Sequence, residues 1–201
     1  TATVTVTVAD VNEAPVAVDN SFTLAENAGA SALGTVSASD VDTADTLTYS
    51  ITAGNDSSLF AINASTGALS TTDLLDFETD AQYVLTITLQ DGALEDTATV
   101  TVTVNDVNEA PVPVGDTFTV AENTATSILG TVAATDVDTP GDTLTYSITA
   151  GDAGGLFSIN ADTGELHQGG TLDFETAAQH VLTVTVNDGA LTGGATVTVN
   201  V

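Results

Sequence analysis

The hexapeptide Asp106-Val107-Asn108-Glu109-Ala110-Pro111 decides how this sequence is organised, because the same six residues occur at 10–15, 96 positions earlier. A run of alternating threonine and valine precedes each copy, and Ala-Glu-Asn begins ten residues after the proline of each copy. A short acidic stretch that ends in proline and recurs between β-like segments is typical of a junction between repeated domains. Residues 106–111, called the hinge below, therefore predict two tandem repeats.

The segments that follow each copy alternate polar and apolar residues with the period of two of a half-buried β-strand. In the first repeat we predict strands at residues 21–26, 33–39, 46–52, 59–63, 68–71, 83–89 and 97–104. The second repeat has the same motifs at an offset of 96, which becomes 97 after one inserted residue near Pro140-Gly141. About seven short strands per repeat, without helical periodicity, predict two all-β, immunoglobulin-like seven-strand sandwiches.

The predicted domain boundaries follow the hinge copies. Repeat 1 is assigned to residues 10–105 and repeat 2 to residues 106–201. Residues 1–9 alternate threonine and valine, and we interpret them as a residual strand of a preceding repeat. Each repeat of roughly ninety residues is long enough to bury a core of its own.

The charge of the chain limits its partners. It has 28 acidic residues and no lysine or arginine, so its formal charge at pH 7 is −28. Self-repulsion opposes the compact state, which implies a high-salt medium, bound cations or both. Direct binding to nucleic acid or anionic lipid is excluded, since both need cationic groups. No apolar run approaches the roughly eighteen residues of a membrane span, so we expect no direct membrane insertion.

The carboxylates concentrate at the breaks between the predicted strands, where Asp-x-Asp and Asp-x-Glu pairs place like charges close together. Calcium takes about six to eight oxygen ligands, carboxylates and carbonyls among them. No cluster of histidine or cysteine competes for a softer metal. A solvated loop position is the simpler interpretation of one aspartate alone, but the same acidic and amide positions recur in both repeats. The pattern therefore favours calcium sites.

The ordered set of these motifs resembles cadherin repeats, in the form found in large bacterial surface proteins. The motifs are Ala-Glu-Asn at 25–27, Asp-Val-Asp at 40–42, Asp-Phe-Glu at 76–78, Asp-Gly at 91–92 and the hinge. The resemblance covers nearly the whole chain and implies cadherin-like β-sandwiches in an elongated arrangement, with Ca²⁺ between successive domains. It implies that the central junction takes its ligands from both repeats: Glu26, Asp76, Glu78, Asp106, Asn108, Asp136, Asp138 and Asp188.

The resemblance also implies two incomplete ligand sets. An upper site in repeat 1 would use Asp10, Asn12, Asp40, Asp42 and Asp91. A lower site in repeat 2 would use Glu122, Asp173 and Glu175. The hinge is one residue shorter than the linker of cadherins, and Glu109 stands where aspartate is usual. Two and three ions at the central junction therefore both stay open, and solvent exposure of Glu109 is an alternative to a ligand role.

The functional expectation is a protein that is not an enzyme, because no nucleophile–base set, phosphate loop or anion-binding basic residue recurs. We expect no catalytic residue and no organic cofactor. The resemblance implies a calcium-rigidified extender or adhesion module, extracellular or on the bacterial cell surface, whose partners are neighbouring repeats of the same chain.

Two alternatives stay open. One is a calcium-dependent carbohydrate-binding module of an extracellular polysaccharide-degrading system, and the other is self-association with like domains. Sugar stacking needs exposed aromatic rings, yet Tyr49 and Tyr146 lie on predicted core strands, and Tyr83 is the one other tyrosine. His167 and His180 are isolated in the sequence, and we predict a structural or surface role for both.

Overall fold

A computed structural model of the protein describes residues 1–124, 128–138 and 143–201. The chain divides into two compact units, Thr1–Val107 (unit 1) and Asn108–Val201 (unit 2). The described residues form β-strands, and they contain no helix long and apolar enough to span a membrane. The predicted insertion near Pro140-Gly141 lies outside the described residues.

The strands recur in the same order in both units. Unit 1 contains β1 (Val16–Ala17), β2 (Asn20–Ala25), β3 (Ala32–Thr35), β4 (Ala38–Ser39), β5 (Thr48–Ala53), β6 (Phe60–Ile62), β7 (Ala68–Thr71), β8 (Gln82–Gln90) and β9 (Glu95–Asn105). Unit 2 contains β10 (Val112–Pro113), β11 (Asp116–Thr119), β12 (Ile128–Thr131), β13 (Ala134–Thr135), β14 (Thr145–Ala150), β15 (Phe157–Ile159), β16 (Glu165–Gln168), β17 (Gln179–Asn187) and β18 (Thr192–Asn200).

Each unit pairs a four-stranded sheet with a three-stranded sheet. In unit 1 the orders are β2-β9-β8-β5 and β3-β7-β6, and β1 and β4 form a short ribbon. The strand β2 runs parallel to β9, whereas β8 is antiparallel to both of its neighbours. The described part of unit 2 has the equivalent orders β11-β18-β17-β14, β12-β16-β15 and β10-β13. The internal repeat seen in the sequence is therefore a repeat of topology and strand order.

The core of each unit lies between its two larger sheets. On β9, Ala98, Val100, Val102 and Val104 are at most 1% exposed, because they lie on the side of the strand that faces the other sheet. They belong to one cluster with side chains of the three-stranded sheet such as Leu69. An equivalent cluster in unit 2 joins residues of β17 and β18 to β15 and β16. The predicted all-β fold of two tandem seven-strand sandwiches is confirmed.

Residues 1–9 do not form the predicted strand. Their first eight residues, TATVTVTV, are identical to residues 97–104, which lie within β9. Yet Val4, Val6 and Val8 are 81–88% exposed, and no strand of the described residues pairs with this segment. A strand needs hydrogen bonds to a neighbouring strand, so the alternating pattern alone is not sufficient. The assignment of residues 1–9 to a preceding repeat stays a prediction.

The predicted strand at residues 33–39 is two strands, β3 and β4. The first pairs with β7 and the second with β1, so they belong to different sheets. Val36, which lies between them, is 1% exposed in the core. Polar and apolar residues alternate from Thr35 to Ser39, across this point, and hydrophobic periodicity does not report a change of pairing partner.

Candidate metal centre

Glu26 follows the last residue of β2 and organises one end of unit 1. Its side chain is 3% exposed. Its Oε2 accepts the backbone N–H of Phe77 at 2.9 Å, and its Oε1 accepts the backbone N–H of Val107 at 2.9 Å. The next residue, Asn27, has a left-handed φ of 57° and donates its N–H to the carbonyl of Leu75. One buried carboxylate therefore joins the end of β2 to the loop after Leu75 and to the start of the hinge.

Three carboxylates converge at this end of unit 1, and we call Glu26, Asp76 and Glu78 the Glu26 set. One oxygen from each lies within 4.8 Å of the others. The side-chain hydroxyl and the backbone N–H of Thr79 donate to Asp76 at 2.9 and 3.1 Å and lower the pKa of its carboxyl group. Asp106, the fourth predicted ligand of unit 1, is exposed just after β9. The sequence contains no lysine or arginine to neutralise this charge.

The first residues of unit 2 form a hydrogen-bonded network with two of its loops. The side-chain Nδ2 of Asn108 donates to Oδ2 of Asp188 at 3.0 Å and to the carbonyl oxygen of Glu109 at 2.9 Å. The N–H of Glu109 donates to Oδ2 of Asp138 at 2.8 Å, and the N–H of Asp138 donates to Oδ1 of Asp136 at 3.2 Å. We call Asn108, Asp136, Asp138 and Asp188 the Asp138 set.

The aspartates of the Asp138 set are largely removed from water. Asp136 and Asp188 are 8% and 7% exposed. Oδ1 of Asp188 accepts the N–H groups of Leu191 and Ala190 at 2.7 and 2.6 Å, and these bonds lower the pKa of its carboxyl group. Oδ1 of Asp138 is buried and accepts no hydrogen bond from the described residues. A buried carboxylate oxygen without a donor is costly, and a bound cation would satisfy it.

Unit 1 repeats this network at its own first hinge copy, and we call Asn12, Asp40, Asp42 and Asp91 the Asp42 set. Nδ2 of Asn12 donates to Oδ2 of Asp91 at 2.8 Å. The N–H of Glu13 donates to Oδ2 of Asp42 at 2.8 Å, and the N–H of Asp42 donates to Oδ1 of Asp40 at 2.9 Å. Four predicted ligands are therefore brought together in the same geometry as their counterparts in unit 2.

Two carboxyl groups beside the Asp42 set have raised pKa values, through partial burial first and neighbouring negative charge second. Partial desolvation, followed by the charges of Asp42 and Asp10, raises the pKa of Glu13. Partial desolvation and the same Asp42 also raise the pKa of Asp45. Asp10, the fifth residue predicted for the upper site, is exposed and acts here through its charge.

The predicted lower site of unit 2 is formed by Glu122, Asp173 and Glu175, the Glu122 set. One oxygen of each lies within 4.8 Å of the others, as in the Glu26 set. Oε2 of Glu122 accepts the N–H of Phe174 at 3.2 Å, and Asp173 accepts the hydroxyl of Thr176 at 2.8 Å. All three carboxylates are exposed.

Sequence reasoning missed the second role of the hinge, which is to supply backbone donors. Glu13 and Glu109 hold Asp42 and Asp138 through their N–H groups. The alternative that Glu109 is solvent-exposed is wrong, because the residue is half-buried and its Oε2 is fully covered. The identity of the two hinge copies was the available signal for a shared structural role.

The donors at all four sets are oxygen atoms of carboxylates and amides, held by backbone N–H and threonine hydroxyl groups. This donor chemistry fits a hard cation of the calcium type. It does not fit zinc, which takes sulfur and imidazole ligands in structural sites. Calcium bound there would supply positive charge to side chains that otherwise repel one another.

The fold and the acidic sets define a class of protein: tandem β-sandwich repeats with oxygen-rich sets of side chains, which are the donors that calcium prefers. A family model described as "Cadherin domain" matches residues 20–105 and 116–201. The chain therefore belongs to the cadherin family.

Known proteins similar to the chain include human and mouse cadherins. Human Protocadherin Fat 1 is 36% identical over 203 residues, which covers 94% of this chain and 4% of that protein. The protocadherin gammaB7 EC3-6 cis-dimer structure has a TM-score of 0.65 at 26% identity and covers 96% of this chain and 52% of that chain. The protocadherin GammaB4 extracellular domain has a TM-score of 0.62 at 28% identity, covering 95% of this chain and 35% of that chain. The chain spans 4–7% of the length of the first curated relatives it matches.

Proposed function

We propose that the chain is a non-catalytic extender and adhesion module of an extracellular protein, stiffened by calcium at the junction of its two units. The Glu26 set with Asp106 would supply the ligands on the unit 1 side of the hinge. The Asp138 set would supply those on the unit 2 side. The bond between Val107 and Asn108 makes the two sides consecutive in the chain, which is why we assign them to one centre.

The observation that carries this proposal is the repetition of the Asp138 network in the Asp42 set. The equivalent bonds differ by at most 0.5 Å in length. In both copies the carboxylates are held close together in a chain that has no lysine or arginine to neutralise them. A shared ligand-holding role explains the repetition. Bound calcium would offset the repulsion that these carboxylates otherwise exert on one another.

The setting of the parent protein is also a proposal. The similar proteins include the GammaB4 extracellular domain, and we assign this chain likewise to the extracellular side. We also propose that the parent protein is a bacterial surface or secreted protein. This part rests on the sequence resemblance alone, because the curated relative named above is an animal protein. Its partners would be neighbouring repeats of the same chain, and calcium in this setting would bind at about 10⁻⁴–10⁻³ M.

Small-angle scattering of the two-unit chain in calcium and in chelator tests the extender function. We expect a narrower distribution of inter-unit distances in millimolar calcium, because ions at the junction oppose the bending of a self-repelling joint. Calorimetric titration should give binding in the range above. The proposal fails if the scattering profiles coincide, or if titration shows no binding.

Self-association is a second candidate, because a similar protocadherin was solved as a cis-dimer. The charge of −28 opposes contact between copies unless cations bridge them. Sedimentation velocity at varied calcium separates the candidates, since an extender stays monomeric while it stiffens.

The carbohydrate-binding alternative has weaker support, because all three tyrosines are half-buried and pack against the core of unit 1 or unit 2. Retardation in polysaccharide-containing gels would be needed to support it.

A further inference from the structure

We infer that unit 2 binds an extended basic peptide by β-strand addition, in the groove between its edge strands β14 and β15. The groove has a volume of about 640 Å³ and is lined by both strands and by residues 151–153 of the loop that follows β14. Exposed sheet edges bind extended peptides through main-chain hydrogen bonds, and pockets for alternate side chains give specificity. The inference goes beyond the proposed function and does not depend on calcium.

The strands β14 and β15 are edges of the two larger sheets of unit 2. Within the described residues, β14 pairs with β17 alone and β15 pairs with β16 alone. Packed sheets lie about 10 Å apart, which is about twice the spacing between neighbouring strands in one sheet. One extended chain therefore fits between the two edges, where it can form hydrogen bonds with the backbone of both.

Backbone groups of both strands point to the open side of the sandwich. The N–H of Tyr146 donates to the carbonyl of Ala161, outside the ladder between β14 and β17. Residues two apart in a strand present their backbone groups to the same side, so Ile148 directs its N–H and carbonyl away from β17. On β15, the N–H of Phe157 donates to Oδ2 of Asp152 at 3.2 Å. The carbonyl of Phe157 points to this same edge.

One side chain caps this edge in unit 1 but leaves part of it open in unit 2. Nδ2 of Asn55 donates to the carbonyl of Phe60 at 2.8 Å, and its Oδ1 accepts the N–H of Phe60 at 3.0 Å. The equivalent residue of unit 2 is Asp152. Its carboxylate accepts the N–H groups of Leu156 and Phe157 at 2.7 and 3.2 Å. A carboxylate has no N–H to donate, so the carbonyl of Phe157 is left for a ligand.

The lining of the groove and the charge of the chain define the peptide. The lining includes Ile148, Phe157 and Ile159, which belong to or pack against the core cluster of unit 2. It also includes the carboxylate of Asp152, in a chain with a charge of −28 and no lysine or arginine. An extended peptide that alternates apolar and basic residues has one face for the apolar lining and one face of complementary charge. A second copy of this chain carries the same negative charge and is repelled.

Titration of the ¹⁵N-labelled chain with the peptide Lys-Val-Lys-Val-Lys-Val-Lys tests the inference. It is done in millimolar calcium and about 0.15 M salt, where the Debye length is about 8 Å and distant charges are screened. We expect the largest amide shifts at Ile148, Phe157 and Ile159, and smaller shifts at Ile51 and Phe60 on the capped edge of unit 1. The same peptide with glutamate in place of lysine should not bind. Absence of binding, or shifts confined to the acidic loops, would overturn the inference.

A pair of variants separates the groove from general attraction to negative charge. Asp152→Asn gives unit 2 the cap of unit 1 and should weaken peptide binding at least about tenfold, or about 1.4 kcal/mol. The matched control Asp162→Asn removes the same charge from an exposed residue of unit 2 outside the groove lining and should change the affinity less than about twofold. Equal losses in the two variants would contradict a site in the groove, and circular dichroism confirms that both variants fold.

Alternate N-methylation of the peptide tests the backbone pairing itself. Methyl groups on every second amide remove the donors along one edge of the extended peptide. Two such peptides, methylated on opposite sets, should both bind at least about tenfold more weakly, because the bound strand uses both of its edges. Unchanged affinity of both methylated peptides would exclude β-strand addition.

Discussion

Asp42 and Asp138 are equivalent residues, and each accepts the N–H of the hinge glutamate at 2.8 Å. For Asp138, the second oxygen is buried without a donor among the described residues. Leaving such an oxygen unsatisfied costs free energy in the calcium-free protein. Asp138 therefore has the surroundings of a ligand, and Asp42 shares its bond to the hinge glutamate. The proposed centre that includes Asp138 takes its predicted ligands from both repeats. The predicted site that includes Asp42 takes its ligands from repeat 1 alone.

Substitution of these two aspartates separates the complete centre from the incomplete one. We expect Asp138→Ala to weaken calcium binding at least about tenfold, since even residues that only orient ligands contribute about 10–100-fold to metal affinity. Asp42→Ala should change that binding step by less than about threefold, or about 0.6 kcal/mol. Calorimetric titration measures both, and the circular dichroism of each variant should stay that of the folded chain. Equal losses would contradict the assignment.

Asp96 gives unit 1 a pH dependence that does not involve a proposed ligand. Its Oδ2 accepts the N–H of Ala17 at 2.9 Å, and bonds from the N–H groups of Ala17 and Thr97 lower the pKa of its carboxyl group. A lowered pKa in the folded state means that the charged form stabilises the fold. This contribution is present above the ordinary carboxyl pKa of about 4 and is lost as pH falls through the lowered value.

The Asp96→Asn variant should therefore have a lower Tm than the unchanged chain at pH 7, and the gap should close in more acidic solution. The measurement is thermal unfolding across pH in about 0.5 M salt, where long-range repulsion is screened. Glu95→Gln is the matched control, because it removes the same charge from the adjacent residue. A gap that persists or widens in acid would show that Asp96 does not act through its charged form.

At the scale of strands, the sequence predicted most of the architecture. The Val/Thr run of residues 97–104 was predicted as a strand and lies in β9, with its valines in the core. The identical run at residues 1–8 is not a strand. The difference lies in the neighbours: β9 has β2 and β8 beside it, and residues 1–8 pair with none of the described strands. Pairing partners decide between the two outcomes, and an alternating pattern contains no information about them.

The candidate site was predictable in its carboxylates but not in what holds them. The resemblance to cadherin repeats implied the Glu26 and Glu122 sets, and the structure brings one oxygen from each member of a set within 4.8 Å of the others. The donors are backbone N–H groups, as at Glu109, or hydroxyl groups, as at Thr79. Every residue except proline offers the same N–H group, so its partner follows only from the fold. Gly193 was missed for a related reason, because its role depends on the distant Pro111.

Gly193 gives a test of how β18 positions the hinge. A methyl group there would meet the carbonyl oxygen of Pro111, whereas a methyl group at Gly194 has no atom within 4 Å. We expect Gly193→Ala to destabilise unit 2 by about 1–3 kcal/mol through overpacking. Gly194→Ala should be neutral or slightly stabilising, because it restricts the unfolded chain. Urea unfolding of the two variants measures the difference, and similar midpoints would refute the packing role of Gly193.

At the scale of the whole molecule, the dominant feature is a charge of −28 without one lysine or arginine. The apolar cores of the two units stabilise folding, while the carboxylates around them repel one another. Two kinds of cation relieve this repulsion by different means. Calcium would act at the proposed sites by binding, and its effect saturates with site occupancy. Monovalent salt acts by screening and depends on ionic strength alone.

Salt should therefore raise the Tm of the chain even when calcium is chelated. The Debye length shrinks from about 30 Å at 0.01 M to about 3 Å at 1 M salt, so most repulsion between loops is screened across this range. We expect a rise of at least about 4 °C, the shift that about 1 kcal/mol produces in a domain of roughly 100 residues. Scanning calorimetry in chelator measures it, and sodium and potassium chloride should agree at equal concentration because screening does not depend on ion identity. Millimolar calcium added at high salt should raise the Tm further, since site binding persists after screening is complete. A Tm independent of salt would mean that repulsion does not limit the fold, and a shift that differs between sodium and potassium would indicate monovalent binding at the acidic sets instead of screening.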